Sequence, residues 1–122
     1  MAHILIVDDQ PDIRSMLAMR LELQDHTIEQ AENGAVGLEM ARQGRFDLIL
    51  LDMHMPVMDG HEMVRLLRQE GYAGLVVAVT ASAMVSDTHR AIQAGCNDFI
   101  FKPVSEDFEE RIEQLLRKRI SP

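Results

Sequence analysis

Short apolar runs alternate with longer amphipathic stretches along this chain. Runs such as ILIV at 4–7, LILL at 48–51 and LVVAV at 75–79 have the length and content of buried strands. Between the runs, apolar residues recur at helical spacing, as Ile13, Leu17 and Leu21 do on one face of a helix. This alternation predicts repeated β–α units.

Five strands and five helices follow from the pattern. The predicted strands cover residues 3–7, 27–31, 47–51, 75–79 and 98–101. The predicted helices cover residues 11–23, 35–43, 60–70, 85–94 and 105–119, the last with Ser105 as its N-cap. The first, third and fourth strands are almost entirely apolar, whereas the second is half polar and suits a sheet edge. We therefore predict one α/β domain over residues 1–122, a doubly wound, flavodoxin-like (βα)5 three-layer sandwich with a parallel sheet in the order 2-1-3-4-5.

Composition narrows the classes of partner and location. The net charge of −8, from 12 basic and 20 acidic side chains, argues against binding to nucleic-acid backbone or to anionic lipid. No apolar stretch approaches the roughly 20 residues that a membrane helix needs. The first strand begins at residue 3, which leaves no room for a signal or transit peptide. A single cysteine, Cys96, suits a reducing cytosol and is interpreted as a packed residue, so a cytoplasmic location is predicted.

Polar residues of one chemical set stand where four of the predicted strands end. Asp8 and Asp9 follow the first strand, Asp52 the third, Thr80 the fourth, and Lys102 the fifth. Neighbouring parallel strands end at the same edge of a sheet, where open α/β sheets bind their ligands. In the order 2-1-3-4-5 the loops after the first and third strands are neighbours. The sequence therefore predicts three carboxylates, a hydroxyl and an ammonium group in one place.

The chemistry of this set indicates a magnesium-dependent phosphoryl site. Three close carboxylates repel one another, and a hard dication such as Mg²⁺ relieves the repulsion. One carboxylate can then attack phosphorus and form an acyl phosphate. Lys102 and Thr80 would share the charge of the transferred group with the metal. Pro103, which follows Lys102, permits a cis bond that would fix the loop holding the lysine.

Several segments of the chain match one known family. They are IVDD at 6–9, AENG at 31–34, LDMHMPVMDG at 51–60, TA at 80–81, AG at 94–95 and FIFKP at 99–103. With these segments, the chain resembles the receiver domain of two-component response regulators over essentially its whole length. The resemblance implies a signalling module that accepts phosphate from a histidine of a sensor kinase or a phosphotransfer domain.

The resemblance also assigns roles around the phosphoryl site. It implies that Asp52 is the phospho-acceptor. Asp8 and Asp9 would bind Mg²⁺ together with the Asp52 carboxylate and the backbone carbonyl of His54. The hydroxyl of Thr80 and the ammonium group of Lys102 would contact the phosphoryl group.

Three further positions concern switching and lifetime. Phe99 stands at the family's aromatic switch position, where tyrosine is frequent, so a switch hydrogen bond from a hydroxyl is unavailable. Thr80 would be its partner in the switch. His54 and Ser82 stand at positions that tune the lifetime of the acyl phosphate. The output partner is expected on the face formed by the fourth helix, fifth strand and fifth helix, with no direct contact of this domain to nucleic acid or membrane.

Other functions on the same fold stay open at this point. A Mg²⁺-dependent phosphatase that works through an aspartyl phosphate would need a substrate pocket from inserted loops, and the loops here are short. A flavodoxin-like cofactor binder conflicts with the acidic first loop and the absence of tryptophan. A receiver that signals without phosphate conflicts with the complete acidic set. The five histidines show no zinc-ligand spacing, and most are predicted to lie at the surface.

Overall fold

The computed structural model of the protein describes residues 1–81 and 84–120. Its strands are β1 (His3–Val7), β2 (Thr27–Ala31), β3 (Leu48–Asp52), β4 (Leu75–Thr80) and β5 (Asp98–Phe101). Its helices are α1 (Pro11–Glu22), α2 (Gly34–Gln43), α3 (Gly60–Gln69), α4 (Val85–Ala94) and α5 (Phe108–Ile120). Strands and helices alternate strictly, as the sequence predicted.

The five strands form one parallel sheet in the order β2-β1-β3-β4-β5, which confirms the predicted fold class. The register aligns the strand ends. Val7 pairs with Leu51, so the residues that follow them, Asp8 and Asp52, lie side by side. Thr80, at the end of β4, pairs with Phe101 on the adjacent strand β5. The predicted set of polar residues is therefore brought to the same edge by the pairing of the backbone.

Two apolar layers cover the sheet, one on each face. The layer on one face packs α2, α3 and α4 through Leu38, Ala41, Met63, Val64, Leu67 and Ala91. The layer on the other face packs α1 and α5 through Leu17, Ala18, Leu21, Phe108, Ile112 and Leu115. The central strands are buried on both sides, which explains their continuous apolar sequences. Among the described residues, no helix combines the length and the apolar content needed to cross a bilayer.

The start of α5 is the largest error in the predicted elements. The sequence predicted that the helix begins after Ser105 as N-cap, but it begins at Phe108. The Ser105 hydroxyl bonds the Asp107 carboxylate instead of a helix amide. The amide of Phe108 donates to the Ser105 carbonyl at 3.2 Å, and the amide of Arg111 donates to the Asp107 carbonyl at 2.9 Å. A turn therefore precedes the helix, because the hydroxyl that would cap it is already bonded to a side chain.

Two of the five histidines are exceptions to the prediction that most lie at the surface. His26 is buried, with its Nδ1 accepting from the Ala2 amide at 3.0 Å and its Nε2 lying 3.1 Å from Glu113 Oε1. His61, in the first turn of α3, is also buried. Cys96 is packed in the core as predicted, and burial raises the pKa of its thiol to about 12. The thiol is therefore protonated and unreactive at neutral pH.

Candidate functional site

Three carboxylates meet at the carboxyl ends of β1 and β3. Asp8 and Asp52 are buried, with 1% and 6% of their surface exposed, and Asp9 is half-buried. One carboxylate oxygen from each residue lies within 4.8 Å of the other two. The sequence predicted this grouping from the strand ends, and the structure brings all three residues together.

The ammonium group of Lys102 reaches into the same cluster. Its Nζ lies 2.9 Å from Asp8 Oδ2 and 3.5 Å from Asp52 Oδ2, and its side chain is 12% exposed. The Lys102–Pro103 peptide bond is cis, and the Lys102 amide donates to the Thr80 carbonyl at 2.8 Å. The loop after β5 is thus tied to β4 while the lysine side chain extends over the ends of β1 and β3.

The two buried carboxylates are oriented by backbone amides that the sequence analysis did not identify. Gln10 donates from its amide to Asp8 Oδ1 at 2.9 Å, and His54 donates from its amide to Asp52 Oδ1 at 3.2 Å. In each case the donor is two residues beyond the aspartate, and the same turn follows both strands. The Oδ2 atoms of both aspartates are left to face Lys102. Residue types gave no signal for these contacts, because any residue except proline supplies an amide.

The cluster holds more negative than positive charge, and burial makes this imbalance unfavourable. Burial raises the pKa of Asp52, and the neighbouring Asp8 carboxylate raises it further. The His54 amide and the Lys102 ammonium oppose the rise without cancelling it. Three carboxylates against one lysine leave a net negative charge in a poorly hydrated place. A hard dication with oxygen ligands fits this donor set, and Mg²⁺ is the ion that prefers a few carboxylates together with water or phosphate oxygens.

Those of the remaining predicted residues that the structure describes differ in burial. Thr80 ends β4 and is buried, with 3% of its surface exposed. The side chain of His54 is exposed on the loop after β3. Ser82 lies outside the described residues. Phe99 is half-buried on β5 and packs against the core, with its ring centroid 5.3 Å from that of Phe101.

Arg14 is a residue of the site that the sequence analysis missed. Its Nη1 donates to the backbone carbonyl of Asp8 at 2.8 Å, and its Nε donates to Gln30 Oε1 at 3.1 Å. Arg14 stands in α1 immediately after the loop that carries Asp8 and Asp9. The sequence carries no local signal for this contact, because the acceptor is a backbone carbonyl.

Comparison with known proteins accounts for this arrangement. A sequence model for the response regulator receiver domain matches residues 4–116. The chain belongs to this family. Receiver domains of response regulators serve two-component systems as signalling switches, so the fold and the acidic cluster belong to a module of that kind.

The relatives of this receiver domain differ in how much of their own length the match covers. The transcriptional regulatory protein ResD of Bacillus subtilis is 37% identical over 116 residues, which cover 94% of this chain and 48% of ResD. The two-component response regulator ORR41 of rice (Oryza sativa subsp. japonica) is 35% identical over 111 residues, covering 88% of this chain and 87% of ORR41. The chain thus spans about half the length of ResD and most of the length of ORR41.

Solved structures agree with the fold. The response regulator TrrA of Thermotoga maritima, in complex with Mg²⁺ and BeF, has a TM-score of 0.83 and 30% identity, covering 94% of this chain and 99% of that one. A two-component response regulator from Clostridium difficile has a TM-score of 0.92 at 24% identity, covering 99% of this chain and 100% of that one. The second likeness supports the fold alone.

Proposed function

We propose that this receiver domain accepts a phosphoryl group on Asp52 in the presence of Mg²⁺ and thereby changes its binding to a partner. The donor is a phosphohistidine of a sensor histidine kinase or of a histidine phosphotransfer domain. The observation that carries the proposal is the buried Asp52 carboxylate, within 4.8 Å of two further carboxylates and 3.5 Å from the Lys102 ammonium. A structural ion pair would not require such an excess of negative charge.

The arrangement suits a nucleophilic transfer to a carboxylate. An Asp52 oxygen forms a bond to phosphorus as the bond from phosphorus to the donor imidazole nitrogen breaks, and the electron pair returns to the imidazole. Lys102 lies close enough to contact a phosphoryl oxygen on Asp52. Asp8, Asp9, Asp52 and the His54 carbonyl would hold Mg²⁺, which would supply positive charge against the charge that the phosphoryl group adds.

Hydrolysis of the acyl phosphate returns the domain to its resting state. Water would attack phosphorus and regenerate the Asp52 carboxylate and inorganic phosphate. The side chain of His54 is exposed two residues after Asp52, and we propose that with Ser82 it sets the access of this water. We propose no turnover of an external substrate, so the domain is a switch and not a phosphatase.

Mass spectrometry tests the acceptor. The wild-type protein, incubated with Mg²⁺ and acetyl phosphate or a phosphohistidine donor, should gain roughly 80 Da, one phosphoryl group. Asp52→Asn should abolish this gain. Asp47→Asn is the matched control, because Asp47 immediately precedes the amino end of the same strand and should leave labelling unchanged. Labelling of Asp52→Asn at the wild-type level would show that another residue accepts the phosphate.

The proposed output surface is the face of α4, β5 and α5. Apolar side chains are exposed there at Val85, Ile92 and Phe101. Phe99 lines a groove of about 220 Å³ between α4 and β5. Movement of Thr80 toward the phosphoryl group, followed by the Phe99 ring, would change this surface. The partner is an output protein or domain, without direct contact of residues 1–122 to nucleic acid or membrane, in the cytoplasm.

NMR spectroscopy tests the switch separately from the acceptor. Beryllofluoride with Mg²⁺ should shift amide signals of α4, β5 and α5 in the wild-type protein. Thr80→Ala should still form the complex at Asp52 but lose the shifts on that face. A full response in Thr80→Ala, or a wild-type response confined to the acidic cluster, would contradict the switch and assign Phe99 to packing.

A further inference from the structure

Asp9 is the least restrained of the three carboxylates. Asp8 and Asp52 each have one oxygen bonded to a backbone amide and the other facing Lys102. Within residues 1–81 and 84–120, no hydrogen bond or ion pair holds the Asp9 carboxylate. Its position therefore depends on the backbone that carries it, above all on the peptide unit that joins Asp8 to Asp9.

That peptide unit is fixed by Arg14. The Asp8 amide continues the sheet by donating to the Ala31 carbonyl at 3.1 Å. The Asp8 carbonyl has left the sheet and accepts from Arg14 Nη1 at 2.8 Å. The Nε of the same planar guanidinium donates to Gln30 Oε1 at 3.1 Å. A guanidinium with two bonds in different directions has a fixed orientation, which a single ammonium would not provide.

We propose that Arg14 is a positioning residue for metal binding: by holding the Asp8 carbonyl, it directs the Asp9 carboxylate toward Asp8 and Asp52. The inference rests on the proposed binding of Mg²⁺ by these carboxylates. Arg14 contacts no carboxylate of the cluster itself, and its bond is to the backbone behind them. Outer contacts of this kind orient the ligands of a metal and alter its affinity.

The sign of the effect separates positioning from electrostatics. A guanidinium near a dication site repels the dication, so loss of the charge alone would tighten Mg²⁺ binding. Loss of the positioning contact would weaken it, since Asp9 would sample orientations away from the cluster. Arg14→Met removes the charge and both bonds while keeping the aliphatic stem, so the two effects oppose each other in one variant.

The experiment is a Mg²⁺ titration of the full chain followed by amide chemical shifts. Arg14→Met should bind Mg²⁺ about tenfold more weakly than wild type, the lower end of what loss of an outer contact produces. The amide signal of Asp9 should already differ in the metal-free variant. Shifts are read only from folded molecules, so a loss of stability does not imitate the result.

Arg20→Met is the matched control. It removes the same charge from the same helix, but Arg20 bonds Glu109 and the Ser105 carbonyl, away from the acidic loop. This variant should bind Mg²⁺ as the wild type does. Unchanged or tighter binding by Arg14→Met, or equal weakening by Arg20→Met, would overturn the positioning role alone. A wild-type protein that binds no Mg²⁺ would overturn both this role and the proposed function.

Discussion

The amino and carboxyl ends of the same sheet treat their polar groups in opposite ways. At the amino end, His26 is buried but accepts from the Ala2 amide and lies 3.1 Å from the Glu113 carboxylate. Asp47 accepts from the His3 amide at 2.8 Å. Each group has a partner of complementary character within the chain. Polar residues at this end therefore connect the first strand to its neighbours and need no ligand.

At the carboxyl end, the chain leaves its polar groups incompletely matched. Asp8 and Asp52 share the ammonium group of Lys102, and the Asp9 carboxylate beside them forms no ion pair among the described residues. Nearby, the buried Nε2 of His61 has no hydrogen-bond partner among the described residues. Unbalanced charge and unpaired polar atoms destabilise a fold, and their concentration at one end of a sheet is typical of a functional site.

The largest expected effect is loss of phosphorylation when the carboxyl end cannot bind metal. Asp9→Ala should lose Mg²⁺ binding and phosphorylation by acetyl phosphate, because two carboxylates remain where three form the donor set. Asp12→Ala, which removes an exposed acid from the first turn of α1, should behave as wild type. Removal of Mg²⁺ with EDTA should have the same effect on wild type as Asp9→Ala. Full phosphorylation in excess EDTA would show that the cluster does not serve a metal.

The amino end should respond in stability and not in phosphorylation. His26→Ala leaves the buried Ala2 amide without an acceptor and opens a cavity, so it should lower the free energy of unfolding by about 2 kcal/mol. Urea unfolding measures this loss, and His89→Ala on the exposed surface of α4 is the control. At equal concentrations of folded protein, His26→Ala should still be phosphorylated. A variant as stable as wild type would mean that the His26 contacts add nothing, and the contrast between the two ends would fail.

Substitution of the acceptor should have the opposite sign. Because burial raises the pKa of Asp52, folding favours its protonated form. The wild-type protein therefore loses stability as pH rises above the ordinary pKa of aspartate, about 3.9. Asp52→Asn carries no charge to bury and should be more stable than wild type at pH 7 in EDTA, by less than the loss in His26→Ala.

Urea unfolding from pH 4 to pH 7 checks this prediction. The advantage of Asp52→Asn should shrink as the pH falls, since the wild-type carboxyl then becomes neutral as well. Asp12→Asn, at an exposed position, should show no such trend. An advantage that is constant with pH would mean that shape and not charge distinguishes the two side chains.

Local patterns predicted the fold, because the spacing of apolar residues identifies strands and helices. They also predicted the acidic cluster, because the strand order determines which strand ends are neighbours. Apolar runs identified the strands, and the order of the sheet placed Asp8 beside Asp52. Contacts between distant segments left no such pattern. His26 meets partners 24 and 87 positions away, so its burial could not be predicted from neighbouring residues. Arg14 acts through a backbone carbonyl, which every residue possesses.

The late start of α5 has a different cause. Ser105 is a good N-cap by residue type, and no pattern in the neighbouring residues favours the turn that replaces the first turn of the helix. The Ser105 hydroxyl can accept a hydrogen bond from a helix amide as a cap, or it can donate one to the Asp107 carboxylate. In the structure it bonds the carboxylate. Such competition is decided by small energy differences, and residue preferences at helix ends cannot resolve it.

The smallest effect concerns His61, the other poorly satisfied group at the carboxyl end. Burial lowers the pKa of His61, with Arg90 and His54 lowering it further against the opposing effect of Asp59. The folded state therefore favours the neutral ring, and wild type loses stability as pH falls below 6.5, where an unfolded histidine takes up a proton.

His61→Leu keeps an apolar side chain in the same space without a proton to take up. Its stability relative to wild type should rise steadily from pH 7 to pH 5, as measured by urea unfolding. His89→Leu at an exposed position of α4 should show no such rise. A difference that is flat with pH would mean that burial does not disfavour the protonated ring of His61. The imbalance at the carboxyl end would then be confined to the three carboxylates, which is where a bound cation would act.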